Sequence, residues 1–318
     1  MPTLPLYAFI ARRLLATLPV LLIVAVLVFL LLRMGPDDPA AILAGDAADA
    51  QQIERIRTSL GLDRPLPVQF GIWLGKLLGG DLGESFYYKT QVGTLIGQRL
   101  EATLSLALIT VAFAVAVAVP MGVLAAWRPG SRLDRMLMGL SVLGFSVPAF
   151  VLAYLLVWLV SVKLGWLPVQ GYTPLADGVG PWLRHLILPA LTVSVTYIAL
   201  IARVTRAVLL DTLGEDYIRT AHAKGLPETT VLVRHALRNA AVPIGTVIGI
   251  GVALLISGVV VTESIYAIPG LGRLTVDAVL ARDFPTLQGL ILLFSLSYVL
   301  VNLLVDLSYV LFDPRIRY

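Results

Sequence analysis

The sequence predicts an all-α polytopic membrane protein, a helical bundle with six transmembrane helices. Three observations carry this. Of 318 residues, 58% are apolar and only 14% charged, and the mean hydropathy of +0.88 lies far above that of a soluble globular domain. The charges are confined to a few segments and leave six uncharged intervals between them. Most of these exceed the roughly 20 residues that cross about 30 Å of hydrocarbon as a helix. Backbone polar groups find no water in lipid, so each interval is most simply helical. This composition argues against a cytosolic enzyme. The absence of Cys removes disulfides, thiolate metal sites and Cys nucleophiles, and with only His185, His222 and His235 no H-E-x-x-H zinc motif can be written. The net charge of +4 does not point to nucleic acid; where the charges fall matters more.

The first interval, Leu14 to Leu32, follows Arg12 and Arg13. A cleaved signal peptide is the alternative, but the run is longer than the usual apolar region of about 7 to 15 residues. The second and third intervals are Ala102 to Trp127 and Met136 to Val162. The fourth, Leu186 to Ala202, is the shortest, and extends to Leu210 if Arg203 and Arg206 lie at the interface or snorkel toward it. Asn239 to Thr262 and Phe284 to Val305 complete the set. Cations fall unevenly on the two sides: 13 of the 24 Lys and Arg residues lie on the side of the termini, and 4 in the short loops opposite. By the positive-inside rule both termini are expected in the cytoplasm. Trp166 and Trp182 then suit an outer interfacial belt and Trp127 an inner one. The expected divisions are 1–32 (cytoplasmic N-terminus and first span), 33–98 (external segment), 99–312 (five-helix core, with a cytoplasmic loop at 211–240) and a cytoplasmic tail, 313–318.

Between the first two spans, Gln51 to Leu60 has helical periodicity (Ile53, Ile56, Leu60) with Gly61 as C-cap, and Gly79-Gly80-Asp81-Leu82-Gly83 reads as turns. The cytoplasmic segment from Asp211 to Arg238 is more informative. Glu215 and Asp216 open a helix with an apolar stripe of Tyr217, Ile218 and Ala221; Lys224 closes it and Gly225 stops it. Acid at the start, base at the end and Gly after it match the helix dipole and its caps. Pro227 then suits the first turn of a following helix. Isolated helices of about 10 residues are marginal in water, so this one must pack on the bundle, a partner, or both. Two readings stand, an amphipathic helix on lipid headgroups and a docking element; its small apolar face and mixed charges make the lipid attraction weak.

The matching stretches are Leu60-Gly61-Leu62-Asp63-Arg64-Pro65-Leu66-Pro67-Val68-Gln69-Phe70, Gly80-Asp81-Leu82-Gly83-Glu84-Ser85, Val162-Lys163-Leu164-Gly165-Trp166-Leu167-Pro168, Asp313-Pro314-Arg315 and, above all, Tyr217-Ile218-Arg219-Thr220-Ala221-His222-Ala223-Lys224-Gly225-Leu226 followed by Arg234-His235-Ala236-Leu237-Arg238-Asn239 and Pro243. On these the chain resembles the inner-membrane permease subunits of bacterial ABC importers for dipeptides, oligopeptides and nickel. The resemblance implies the type I importer permease fold and a place in the bacterial inner membrane. The central stretch is similar to the EAA loop, whose short coupling helix enters a groove on the ATPase. Arg219, Thr220 and Ala221 occupy the Glu-Ala-Ala places and Gly225 the glycine place; Arg replaces the Glu. Contact with the ATPase is implied for Glu215, Asp216, Tyr217, Arg219, Thr220, Ala221, Lys224, Gly225 and Leu226. Gly35-Pro36-Asp37-Asp38-Pro39 departs from the family's Pro-Gly-Asp-Pro pattern.

Partners implied are a second homologous permease, two ABC ATPase subunits, a periplasmic or lipid-anchored solute-binding protein and membrane lipid, with ATP and magnesium on the partner subunits and no cofactor on this chain. Gly71-Ile72-Trp73-Leu74-Gly75-Lys76, followed by Leu77, has the wrong spacing for a phosphate loop. In the spans, Gly245, Gly249, Ser257, Asn302 and Asp306 are candidates for translocation or helix packing, Gly245 to Gly249 being a G-x-x-x-G that permits close approach. Asp306 invites an interhelical pair, with Arg206 or Arg203 at a similar depth. Glu263, Tyr266, Arg273, Arg282 and Asp283 are, by the resemblance, the face toward the binding protein; a plain loop held by local ion pairs is the competing reading. Di- or oligopeptides are the expected cargo. A stand-alone secondary transporter or channel would instead show mid-membrane ionisable groups and inverted repeats, and an intramembrane enzyme a nucleophile constellation; neither pattern is visible.

Overall fold

The computed structural model describes residues 6–34, 39–44, 48–59 and 61–312. Among them every regular element is helical. After α1 (Leu6–Met34) come α2 (Pro39–Ala44), α3 (Ala50–Ser59) and α4 (Leu66–Leu78). Then follow α5 (Val92–Trp127), α6 (Arg132–Ser146), α7 (Ala149–Leu156, continued by a π-helical turn to Lys163) and α8 (Val179–Leu213). The remainder comprises α9 (Asp216–Ala223), α10 (Glu228–Thr230, continued as a π-helix over Val231–Ala236), α11 (Leu237–Gly258), α12 (Val260–Ile265), α13 (Leu271–Leu280) and α14 (Phe284–Phe312).

Four helical runs among the described residues are long and apolar enough to cross a membrane singly: α5, α8, Glu228–Ile256 and Phe284–Leu307. The third predicted span is broken. α6 and Ala149–Lys163 meet at 97°, and the pair makes a fifth crossing if it is one span. Pro148 lacks the N–H that would continue the α6 ladder, and its ring disfavours the helical conformation at Val147, which is extended (ψ 122°). Pro120, Pro189 and Pro243 lie inside helices that continue through them, so proline alone does not mark the break. In α1 the apolar stretch is Leu15–Leu31, shorter than the other spans, so the expected six crossings are not all reached on length and composition.

The chain divides into two compact units. Among the described residues, one comprises Leu100–Arg273 with 297–312, and the other Leu6–Arg99 with Leu274–Leu296. In the first, α6, α7 and α11 pack on α8. Ala114, Ala118, Ile201 and Ala202 form its middle, while Ala126, Leu209, Val231, Ala236, Ala240 and Ile244 form the end that receives α9. Small residues set the helix spacing: a Cβ on Gly122 would come within 2.7 Å of the Ala202 carbonyl and 2.6 Å of Thr205 Cβ, so α5 and α8 touch backbone to backbone. In the second unit, Phe29 of α1 packs edge-on against Phe70 of α4, with ring centroids 5.2 Å apart, and Gln288 Nε2 donates to the Val28 carbonyl at 2.9 Å.

Candidate functional site

The helix expected between Glu215 and Lys224 is α9. Glu215 stands at its N-cap in an extended conformation, and Gly225 follows its end at φ +76°. The Gly225 amide donates to the His222 carbonyl at 2.9 Å and the Leu226 amide to that of Ala221 at 3.3 Å, closing the last turn. A side chain at Gly225 would be strained by the left-handed backbone, which explains the glycine.

Ile218 and Ala221 are buried against Leu209 of α8, Ala126 of α5 and the Val231 to Ala240 stretch. Two such positions, three apart, are enough to seat an eight-residue helix on the bundle. The opposite face carries Arg219, Thr220, His222 and Lys224, all exposed. Arg219 Nη1 pairs with Asp216 Oδ1 at 3.2 Å on the surface, where such pairs contribute little to stability. Tyr217 is 41% exposed, and its hydroxyl accepts from Asn239 Nδ2 at 2.7 Å, so the Arg234 to Asn239 stretch helps to hold α9. The helix is therefore fastened on one side and presents a polar side to the solvent.

The residues expected to face a binding protein divide sharply. Glu263 and Asp283 are both 0% exposed and Tyr266 is also buried. Glu263 Oε1 accepts from Thr103 Oγ1 at 2.6 Å and Oε2 from the Arg273 amide at 2.9 Å, while Thr103 Oγ1 accepts from the Leu271 amide. The carboxylate lies against Gly270 and Gly272, where a Cβ would collide with it. The Tyr266 hydroxyl shares a 2.8 Å hydrogen bond with that of Thr192, and its carbonyl accepts from the Gly171 amide. These residues hold the segment from within. Arg282, exposed at φ +51°, is the one that faces outward, with Arg273 half-buried.

Asp283 organises the second unit. Its carboxylate accepts from Ser85 Oγ, the Phe86 amide and Thr286 Oγ1. Ser85 Oγ in turn accepts from the Tyr88 amide. This accounts for the Gly80 to Ser85 stretch: Gly80 and Gly83 take φ of +83° and +86°, the Gly83 amide donates to Asp81 Oδ1, and the turn delivers Ser85 to Asp283. Across α5, the Glu101 carboxylate accepts from the Tyr172 hydroxyl at 3.0 Å and the Leu175 amide at 2.8 Å. Burial pushes the Tyr172 phenol above its ordinary value and the Glu101 contact adds to this, so Tyr172 is the donor at neutral pH.

Within the spans, Gly249 lies against the Val305 side chain, whereas among the described residues no atom lies within 4 Å of a Cβ built at Gly245. The two halves of the G-x-x-x-G therefore differ, one being intrachain packing and the other open. Asn302 and Asp306 are half-buried on α14, and the side chain of Ser257 lies outside the described residues, as does the tail 313–318. The carboxylate that Arg206 finds is that of Asp134. Sequence reasoning missed this pair, as it did Thr103 and Ser85; the available signal was Ser131-x-x-Asp134, in which Ser131 Oγ accepts from the Asp134 amide as a helix N-cap.

Two family models match: binding-protein-dependent transport system inner membrane component over residues 118–318, and its N-terminal membrane component over 6–107. The chain belongs to this family. It is thus the membrane-spanning, non-catalytic subunit of an ABC importer, an inner-membrane protein with several crossings. Permeases of this family work with a second permease, ATPase subunits and a substrate-binding protein. The probable peptide ABC transporter permease protein y4tP of Sinorhizobium fredii is 52% identical over 310 residues, 98% of this chain and 99% of the relative. The glutathione transport system permease protein GsiC of Pectobacterium atrosepticum is 47% identical over 311 residues, 98% and 99%. An inward-facing MetNI methionine ABC transporter structure matches with a TM-score of 0.57 over 69% of this permease and 96% of that chain; at 18% identity this shows the shared fold alone. The stand-alone transporter or channel is not favoured.

Proposed function

We propose that this permease carries di- or oligopeptides across the inner membrane, forming the pathway with one homologous permease partner. Two ATPase subunits drive it from the cytoplasm, where both termini lie, and a periplasmic or lipid-anchored binding protein delivers the solute. The peptide assignment is supported by relatives spanning essentially the whole chain that are named for peptide and glutathione transport, glutathione itself being a tripeptide.

The observation that carries the coupling role is α9, whose Ile218 and Ala221 are sunk in the end of the bundle while Arg219, Thr220, His222 and Lys224 face out. ATP and magnesium are held by the partners, and this chain supplies a lever. When the ATPases close, a push on α9 passes through Leu209, Ala126 and Ala240 into α8, α5 and α11. Those helices then move together as a rigid body between inward-facing and outward-facing arrangements. The near absence of charge within the spans suits a cargo with a constant amide backbone and variable side chains.

Reconstitution of the permease with its partner permease, ATPases and binding protein in vesicles is the test. Uptake of labelled di- to pentapeptides that requires ATP and all components supports the reading. ATP-independent uptake by this chain alone overturns it. Uptake of a non-peptide solute, with no competition from peptides, overturns the cargo assignment.

A further inference from the structure

The external segment contains two helices with opposite surfaces. α3 is amphipathic, and beyond Ala50 its exposed positions are Gln51, Gln52, Glu54, Arg55 and Thr58, side chains suited to water. α4 carries a single charge, Lys76, in thirteen residues. Its packed side is Gln69, Phe70 and Trp73, and its outward side, at i, i+4 and i+7, is Val68, Ile72 and Gly75, all exposed. Leu78, 81% exposed, adds apolar surface at the end of the helix. A helix that buries an apolar face and shows a second apolar face outward is not at equilibrium with water on that side.

Contacts with α1 set the depth of α4. The ring of Phe29 meets those of Phe70 and Trp73, at 5.2 and 5.7 Å between centroids. Arg33 Nε donates to Gln69 Oε1 at 2.7 Å, and the Arg33 guanidinium lies 3.6 Å over the Phe29 ring. Arg33 marks the place where α1 changes from apolar to charged: Ile23, Leu27 and Leu31 before it are exposed and apolar, as a lipid-facing surface must be. The middle of α4 is thus level with the end of a membrane span, where headgroups meet acyl chains. Beside it a cavity of about 390 Å³ is lined by Arg33, Lys76 and Lys89, with Asp81 and Glu84 also on its wall. Neither lysine has an ion-pair partner among the described residues, which leaves two ammonium groups available to phosphates at that level.

We propose that α4 lies in the plane of the bilayer interface at the carboxyl-terminal end of α1, with Val68, Ile72 and Leu78 in the acyl region of that leaflet. The occupant of its outward face is phospholipid. This is the arrangement of an interfacial helix, held by buried apolar area and steadied by cations at the headgroups. It fixes the external segment to the membrane rather than leaving it as a freely solvated cap. The inference rests on α1 being a span and on the permease reading.

The chain has no native Cys, which makes single-cysteine spin labels clean. Val68→Cys, Ile72→Cys, Gln52→Cys, Arg55→Cys and, as a control on the span, Leu27→Cys are made in the full chain. Each is assembled with cysteine-free partners in nanodiscs of phosphatidylethanolamine and phosphatidylglycerol. Collision with oxygen, which prefers lipid, is compared with collision with a nickel chelate, which prefers water. At 27, 68 and 72 oxygen is expected to exceed nickel several-fold, with the ratio reversed at 52 and 55. Nickel access at 68 and 72 equal to that at 55, with 27 still lipid-like, overturns the placement of α4 and leaves the permease reading intact. Shielding of 68 and 72 from both reagents also overturns it, since a protein partner then covers the face. A water-like reading at 27 removes the membrane reading of α1 itself.

Discussion

Arg206 holds Asp134 through two parallel hydrogen bonds, Nε to Oδ1 at 2.6 Å and Nη2 to Oδ2 at 2.7 Å, joining residues 72 apart in sequence. Asp134 is buried, caps its own turn by accepting from the Gly130 amide at 2.8 Å, and belongs to α6, while Arg206 is one turn from Leu209, the α8 residue on which α9 rests. The bridge therefore ties α6, the first limb of the bent pair, to the helix that leads into α9. Farther along the same contact, Arg203 stacks 5.2 Å from the Phe145 ring and Gly144 is pressed by Val195.

Asp134 is buried while Arg206 is 28% exposed, so removing Arg206 leaves a buried acceptor unsatisfied, at a cost of about 1 to 3 kcal/mol. Asp134→Asn and Arg206→Gln are expected to lower the thermal midpoint of the purified complex by several degrees. Arg206→Lys should fall between these and the parent, since an ammonium cannot reproduce the two-pronged contact. The exchange Asp134→Arg with Arg206→Asp should regain part of the loss. Single variants that melt with the parent would show that the bridge is not holding these helices.

Glu263 makes a second prediction. Two donors, Thr103 Oγ1 and the Arg273 amide, converge on its two oxygens inside the protein. Glu263→Gln keeps the shape but turns an NH₂ toward one of those donors, so it should cost about 1 to 3 kcal/mol. Its expected signature is a lower yield of folded permease by size-exclusion chromatography, with binding-protein affinity unaltered once folded. Loss of binding-protein affinity alone, with full stability, would return Glu263 to a surface role.

How much of this was legible beforehand depends on the range of the cause. The α9 helix is local chemistry: acids, a short stripe, Lys224 and Gly225 occur within about ten residues, and the sequence located its ends to within one position. The spans are equally local, because lipid punishes any unpaired backbone. The bend at Pro148 was not legible, since Pro120, Pro189 and Pro243 look the same in sequence and do not break their helices. Whether proline interrupts a helix depends on what packs beside it. Glu263 and Asp283 misled for a related reason: a carboxylate in a polar loop is normally solvated, and the donors that bury these two are Thr103 and Ser85, some 160 and 198 residues away.

The coupling role proposed for α9 can be tested separately from its folding. Ile218 and Ala221 face the bundle, whereas Arg219 and Lys224 face out. Reversal of both outward charges, Arg219→Glu with Lys224→Glu, is expected to reduce co-purification of the ATPase subunits several-fold and to lower transport in proportion. Membrane insertion and melting of the isolated permease should be unchanged, because exposed charges contribute little to stability. Gly225→Pro should act on both, since the Gly225 amide bonded to the His222 carbonyl is lost and φ +76° is closed to proline. Normal ATPase recovery and normal transport in the double reversal would remove α9 as the docking element.

Gly249 and Gly245 supply a last comparison on one helix. A side chain at Gly249 collides with Val305 of α14, whereas the space around Gly245 is open. Gly249→Leu is therefore expected to force α11 and α14 apart and destabilise by about 1 to 3 kcal/mol or more, as overpacking does. Pairing it with Val305→Ala should restore part of the loss, since the colliding methyl groups are removed. Gly245→Leu should leave the unfolding free energy of the isolated permease within about 1 kcal/mol of the parent, since no described atom lies within 4 Å of a side chain started there. If that same substitution prevents association with the second permease, measured by pull-down of a tagged partner, Gly245 lies at the interface between them. Equal destabilisation by Gly245→Leu and Gly249→Leu in the isolated chain would contradict the packing described for α11.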